Sequence, residues 1–313
     1  MVERGAGTRA VRCDLTLAAA LAAGLSAAPV GAQSIEPRAY SAGPVGTNFA
    51  ILAYAETSGG LPTDTALPLS EVDLKVRTVV LAYARTLNLF GQSAKIDVIV
   101  PYGKLAGDAT FDGKPIQRRV AGLGDAAARL TILLHGAPAM TPTEFRTYQQ
   151  GLLIGASIQV FIPVGQYDNE RVLNLGTNRW ALKPEFGVSK AWGRWTMEGA
   201  AGVTFFGDNK RFFGANRRTQ KPIYSAQAHA IYSLAPGIWI AANLAWFGGG
   251  RTNINGVDGD NLQQNWRAGL VAAVPLTKRF SLKVNASTGV LARTGNNFDL
   301  YGTALQYRWG GGS

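Results

Sequence analysis

From residue 48 onward the chain repeats stretches of about ten residues in which apolar side chains alternate with small or polar ones, the period of two that gives a strand two unlike faces. The clearest covers 180–192. There Trp180, Leu182, Pro184, Phe186, Val188 and Trp192 share one face, and Ala181, Lys183, Glu185, Gly187 and Ser189 share the other. The next stretch sets Trp195, Met197, Gly199, Ala201, Val203 and Phe205 against Thr196, Glu198, Ala200, Gly202 and Thr204. Only Gly193-Arg194 separates the two, which is a tight hairpin signal. Pro184 lacks a ladder donor, so a bulge is expected beside it. Further strands are predicted at 48–55, 74–87, 94–106, 126–134, 152–163, 223–234, 238–247, 263–274, 279–293 and 299–309, about a dozen in all.

The connections alternate in length. Short turns fall at 88–93, 193–194, 235–237 and 275–278, and long polar loops at 56–73, 107–119, 165–179, 207–221 and 248–262, with a shorter one at 294–298. Short turns at one end and long loops at the other are the signature of an antiparallel up-and-down transmembrane β-barrel with an even strand count. A soluble sandwich has no reason to confine its long loops to one end. One connection breaks the rule: 136–150 is long, yet it falls at the turn end. Its Thr141-Pro142-Thr143-Glu144 reads as a capping box with proline in the first turn, so a short helix is expected there, an extended turn being the alternative.

Composition agrees with strands in a bilayer. The 313 residues are 47% hydrophobic, only 16% charged and include 38 Gly. Beyond the N-terminus no stretch approaches the roughly 20 apolar residues of a spanning helix. A closed barrel is the other way to satisfy every backbone donor and acceptor in lipid. Tyr102, Trp180, Trp192, Trp195, Tyr232, Trp246 and Trp266 fall near strand ends, where interfacial girdles belong. The last strand sets Tyr301, Thr303, Leu305, Tyr307 and Trp309 outward against Gly302, Ala304, Gln306 and Arg308 inward, the kind of terminal strand that barrel-insertion machinery recognises.

The first residues read as a secretory leader. Arg4, Arg9 and Arg12 precede an Ala/Leu-rich run, and Val30-Gly31-Ala32 supplies small residues before a cleavage point. The expected organisation is a signal peptide at 1–32, a short periplasmic segment at 33–47 and an outer-membrane barrel at 48–313. Cys13 would leave with the leader, which excludes disulfides and thiolate metal sites from the mature chain. The leader carries three basic and two acidic residues, so its loss lowers the formal charge only from +11 to +10. No basic run with interleaved aromatics accompanies that charge, and nucleic acid is not an expected partner. Arg211, Arg217, Arg218, Lys221 and Arg251 concentrate in the long loops, where lipopolysaccharide headgroups or plain solvent would face them.

Inward parity assigns Gln159, Lys183, Glu185, Glu198, Gln227, His229, Asn243, Arg267, Lys283, Asn285, Gln306 and Arg308 to the lumen. Such a mixture of signs either lines a passage or fills and stiffens a narrow barrel. The stretch 43–47 is too short for a plug domain, so any obstruction is expected from a folded-in loop such as 56–73. Catalysis has little support. Neither His135 nor His229 has a serine two residues away; Ser225 and Ser233 share a face with His229, but about 13 Å of strand rise separates each from it. Asp258, Asp260 and Asn261 in a Gly-rich loop make only a weak calcium pattern, and no phosphate-binding loop is present, so neither metal nor cofactor is expected.

Gly122-Leu123-Gly124-Asp125, then Gly165-Gln166-Tyr167-Asp168 after Pro163-Val164, then Asn174-Leu175-Gly176-Thr177-Asn178-Arg179-Trp180 occur in an order that resembles the outer-membrane barrel transporters named for the meta-pathway of phenol degradation. The resemblance runs through Asp208-Asn209 and Pro236-Gly237 to Tyr307-Arg308-Trp309; Val164 stands where the family often has threonine. It implies an outer-membrane location and, by association with aromatic catabolism, passage of small, aromatic or hydrophobic solutes. A fold alone does not fix a cargo. The expectation is a passive channel or uptake protein and not an enzyme; the alternative is a non-conducting structural or surface-interaction barrel, with an outer-membrane hydrolase third.

Overall fold

The computed structural model describes residues 36–60, 69–293 and 297–311; the expected leader and the tip of the first long loop lie outside them. In chain order the elements are β1 (Thr47–Gly60), β2 (Leu69–Leu89), β3 (Gln92–Phe111), β4 (Lys114–Leu123), β5 (Ala126–His135), α1 (Pro142–Thr147), β6 (Leu152–Ile162), β7 (Ala181–Trp192), β8 (Trp195–Phe206), β9 (Asn209–Phe212), β10 (Asn216–Gln220), β11 (Ile223–Ala235), β12 (Ile238–Gly249), β13 (Thr252–Ile254), β14 (Val257–Asp258), β15 (Gln263–Pro275), β16 (Phe280–Ala292) and β17 (Asn297–Gly310).

Every barrel pairing is antiparallel, and the sheet closes because β1 pairs with β2 on one side and with β17 on the other, from Thr47↔Gly310 to Gly60↔Asn297. β4 and β5 both lie against β3, β4 along its loop-end half and β5 along its turn-end half. Counted as one broken stave, they make a barrel of twelve. The strands run past the predicted limits, and the expected loop at 107–119 is mostly hairpin: β3 and β4 continue the ladder outward to an Asp112-Gly113 turn. Long strands of this kind hide from a periodicity reading because, beyond the bilayer, both faces meet water. The loops 207–221 and 248–262 are also partly ordered, with β9, β10, β13 and β14 forming a small separate sheet.

Pro184 needs no bulge. The β7–β8 ladder skips Lys183 and Pro184 and resumes in the same register, Leu182↔Phe205 and Glu185↔Gly202, so the missing N–H costs one rung rather than an inserted residue.

Outward positions are apolar and exposed: Leu182, Phe186 and Val188 on β7, Met197 and Phe205 on β8, Leu244 on β12, Leu305 on β17. Lipid rather than protein is their neighbour. At the turn end Trp195 lies 4.9 Å from Tyr232, and Phe280, Tyr307, Trp309 and Tyr83 form a chain of ring contacts. Trp246 and Trp266 pair across strands near the loop end. The ten steps from Trp195 to Phe205, at about 3.3 Å each and tilted by about 40°, give a height near 25 Å, the thickness of an outer-membrane apolar band.

The connection 136–150 contains the helix α1. Thr141 caps it: its hydroxyl accepts from Glu144 N–H, and Glu144 accepts from Thr141 N–H at 2.7 Å. Phe145 on the buried face packs with Tyr40, Met140 and Leu153, seating the helix under the barrel. The Thr141 donors hold the Glu144 carboxyl below its ordinary range. A depressed carboxylate stabilises above its unfolded value, and the contribution disappears as pH falls through its own lower value. Thr141→Ala removes the hydroxyl but keeps the backbone N–H, so it should raise Glu144 part of the way toward the usual carboxylate range in an NMR titration and speed amide exchange across 142–147. An unmoved titration would show that the capping box contributes nothing to α1.

Candidate functional site

Residues 36–42, ahead of β1, lie inside the barrel. This differs from the expected periplasmic segment and from the expectation that an obstruction would be a folded-in 56–73 loop, whose tip lies outside the described residues. Residues 36–42 form a strap across the lumen, anchored by side chains from many staves. Glu36 N–H donates to Gln227 (3.4 Å), Arg38 N–H to Glu198 (2.5 Å), and the Tyr40 hydroxyl to Glu185 (3.1 Å). The Arg38 guanidinium donates to Ser233 and lies 5.0 Å over the Trp239 ring. Tyr40 fits because the wall beneath it has no side chain: a Cβ at Gly187 would stand 2.1 Å from the tyrosine ring. The strap was hidden in the sequence because its few residues have neither strand period nor helix signal, only a sparse set of polar tips.

The strap's Glu36 closes a buried ion cluster. Arg129 donates to Glu36 and, at 2.9 Å, to Asp97; all three side chains are nearly inaccessible. Lys95 reaches the Ala39 carbonyl at 3.4 Å. Lys95, Asp97 and Arg129 were not among the lumen residues read from the sequence, although each is a charged residue at an inward position of a predicted strand; that parity was sufficient to find them.

The twelve sequence-derived lumen positions all lie on the inner side of the wall. Lys183 pairs with Glu185 at 2.7 Å. Gln227 donates to Glu185 at 3.3 Å, and Ser189 to Glu198 at 3.0 Å. Gln159 stands beside Lys183 on the neighbouring strand. His229 bonds Asn243 through Nδ1 at 2.8 Å, whereas Ser225 donates to the Gly202 carbonyl. His229 is therefore tied to an amide, not to a nucleophile. Arg267 stacks 3.7 Å from the Phe298 ring and donates to Ser287. Arg308 caps the Lys278 carbonyl near the turn end, with Gln306 one inward position above it. Lys283 and Asn285 occupy successive inward positions of β16.

Polar residues do not surround the lumen evenly. β6–β8 and β11 present most of the ionic and amide groups, joined by Asn243 on β12, by Lys95 and Asp97 at the turn end of β3 and by Gln306 and Arg308 at that of β17, whereas β1, β2 and the rest of β3 and β17 present Phe49, Ile51, Val80, Ile99 and Ala304, with a second apolar cluster of Leu74, Val76, Leu105, Phe298 and Leu300 toward the loop end. Leu173 and Leu175 of the 163–180 connection fold into that second cluster.

The Gly-Asp and Gly-Tyr-Asn motifs converge at the break between β4 and β5. Above Ile162, β6 has ended and β4 pairs only with β3, so residues 163–180 patch the wall: Gln166 N–H donates to Leu123 O, and Gly176 N–H to Gln166 O. Asp125 clamps the patch, accepting from Gly165 N–H (3.0 Å), Thr177 N–H (2.8 Å) and the Thr177 hydroxyl (2.6 Å). Gly165 and Gly176 touch backbone to backbone; a Cβ on Gly165 would lie 2.6 Å from Gly176 Cα. Gly122 lets Gln166 approach, and Gly124 donates to Pro101. Asn174 fixes the Asp168 turn, Asn178 takes a positive φ and bonds Asn209, and Asn209 bonds Tyr167. Trp180 then points outward at the start of β7. Asp260 and Asn261 diverge, one toward solvent and Arg293, the other into Thr252.

A family model described as "Putative MetA-pathway of phenol degradation" matches residues 58–309. The chain belongs to that family. Among solved structures, the COG4313 outer membrane channel from Pseudomonas putida F1 is similar in fold: 20% identity, covering 88% of this chain and 100% of that one, TM-score 0.73. The beta domain of the Bordetella autotransporter Brka and the transport unit of the autotransporter AIDA-I from Escherichia coli each align with 84% of this chain, at 12% and 8% identity, covering 99% and 90% of those chains with TM-scores of 0.49 and 0.47. No curated protein sequence matches. In this member of the phenol-degradation family, the Gly-Asp and Gly-Tyr-Asn motifs build the wall patch and its Asp125 clamp rather than the ionic lumen.

Arg129→Met should lower barrel stability by about 3–5 kcal/mol in urea unfolding, because it strands two buried carboxylates. Asp125→Ala leaves two backbone N–H groups unmet at about 1–3 kcal/mol each, and 163–180 should become the first segment cut in limited proteolysis. Equal cleavage in the parent and variant would remove Asp125 from that role.

Proposed function

We propose that the protein is an outer-membrane channel for passive uptake of small molecules, aromatic or hydrophobic ones among them. The observation that carries this reading is the two-sided lumen: a twelve-stave barrel whose inner wall carries an apolar strip of Phe49, Ile51, Ala53, Val80 and Ala304 on β1, β2 and β17, and an ionic strip of Lys183, Glu185 and Glu198 on β7 and β8. A barrel that needed only a stiff interior could fill it with either kind of residue; a wall divided between them suits solutes with an apolar body and a polar edge. The family's association with phenol degradation and the channel function of the Pseudomonas putida structure point the same way. The outward aromatic and aliphatic belt suits lipid, and the exposed basic loop residues Arg211, Arg217 and Lys221 suit neighbouring lipopolysaccharide phosphates. The terminal strand, ending in Tyr307-Arg308-Trp309, is suited to barrel-insertion machinery. No catalytic step is assigned, since His229 is engaged by Asn243.

The strap favours a second reading, a closed structural barrel, because it ties Lys95 on β3, through the Ala39 carbonyl, to Glu185, Glu198, Gln227 and Trp239 on β7, β8, β11 and β12. Those contacts run mainly to side chains, not to a backbone ladder, so the strap is displaceable without unpairing the sheet. In planar bilayers the parent protein should give small discrete conductance steps, and deletion of residues 36–42 should raise them several-fold. Liposome swelling should favour phenolic solutes over sugars of similar size. Silent bilayers with both proteins, and no swelling with any solute, would replace the channel by the structural barrel.

A further inference from the structure

Tyr40 of the strap fills a recess that the barrel wall builds. On β6 and β7 two inward rungs follow one another, Gly155↔Gly187 and Ser157↔Glu185. The glycine rung is the floor: a Cβ at Gly155 would stand 2.7 Å from the tyrosine ring and one at Gly187 2.1 Å. Leu133 and Leu153 belong to the same apolar cluster as the ring, and Ala200 packs against it. The polar rung receives the hydroxyl, which donates to Glu185 at 3.1 Å and lies 3.3 Å from the Ser157 hydroxyl. Glu185 is itself fixed by Lys183 at 2.7 Å and Gln227 at 3.3 Å. The occupant is fully enclosed, with Tyr40 only 2% exposed.

The floor, flanks and polar end of this recess all come from β5–β8, and only the ring comes from the strap. A tyrosine side chain is 4-methylphenol tethered at its methyl carbon. The wall therefore already holds a phenol, seated on a surface without side chains, flanked by apolar groups and met at its hydroxyl by a carboxylate. A wall that needed only filling could carry side chains at Gly155 and Gly187. The strap is also held by contacts that do not use the ring: Arg38 N–H to Glu198, the Arg38 guanidinium to Ser233, and Glu36 to Arg129. Removing the ring leaves those contacts intact.

We propose that the recess over Gly155 and Gly187 is a binding site for phenols, with the solute hydroxyl on Glu185 and Ser157, and that Tyr40 is its tethered competitor. This deepens the channel reading by naming a solute class and a place for it; it rests on that reading for the route of entry, whereas binding is measurable without conduction. The test is equilibrium dialysis of the full-length protein in an uncharged detergent against radiolabelled 4-methylphenol, with empty micelles as the reference. Tyr40→Ala should bind saturably, because an apolar void of ring size accepts a small aromatic. The parent should bind about ten-fold more weakly, since the tethered ring holds the recess at high effective concentration, and Tyr40→Phe, which keeps the ring, should match the parent. Toluene, which lacks the donor, should compete about ten-fold less well than unlabelled 4-methylphenol. Gly187→Ala added to Tyr40→Ala fills the floor and should weaken binding by about ten-fold or more. Heat-modified electrophoretic mobility verifies that each variant is a folded barrel; if Tyr40→Ala is not, the protein lacking residues 36–42 vacates the same recess and takes its place. No saturable binding once the ring is gone, equal binding by the parent, equal competition by toluene, or binding unchanged by Gly187→Ala overturns the site. Saturable, Gly187-dependent binding in a protein that conducts nothing would instead uphold the site and overturn the channel.

Discussion

The structure depends on the need to pair every backbone donor and acceptor inside a lipid slab. Strands achieve this only as a closed sheet, and closure falls to the β1–β17 ladder, whose fourteen residue pairs join the first strand to the last. Once that ladder forms, side-chain parity leaves each residue one of two environments. Outward residues meet acyl chains, so Leu, Val, Phe and Trp are exposed there without penalty. Inward residues enter a space too narrow to solvate freely, and they must find partners across it.

The inner wall meets that demand unequally. Around β7, β8 and β11 the demand is met by Lys183–Glu185 and by the strap, whose Glu36 and Arg38 backbone N–H groups, Arg38 guanidinium and Tyr40 hydroxyl reach Gln227, Glu198, Ser233 and Glu185. Around β1, β2 and the loop-end half of β17 there is less to satisfy, because most inward residues are apolar or small. The wall break at Asp125 interrupts the sheet without exposing its edge, since three donors from the 163–180 connection converge on one carboxylate.

Much of this was legible in the alternation of side chains. The faces of β7, β8 and β17, the hairpin at Gly193-Arg194, the capping box at Thr141 and the alternation of short and long connections follow from local chemistry acting on local sequence. What escaped has a common cause. The strap and the patch by 163–180 are set largely by partners more than forty residues distant, such as Asp125 with Thr177 or Arg38 with Glu198. A period of two also cannot mark where a strand leaves the bilayer, so β3 and β4 were curtailed at the point where both of their faces become polar. The bulge expected at Pro184 failed for a simpler reason: one missing donor is a smaller perturbation than one inserted residue.

The strap also constrains the order of assembly. Its contacts reach across 145 to 191 residues of sequence, to Glu185, Glu198 and Gln227. It precedes β1, so it leaves the ribosome before any strand, yet most of its partners exist only once the middle of the barrel does. Contacts with such separation form late. The earliest part of the barrel chain to be synthesised is thus among the last to be seated. Because β1 follows it directly, its seating and the β1–β17 closure are steps of one event: the barrel shuts around its own beginning.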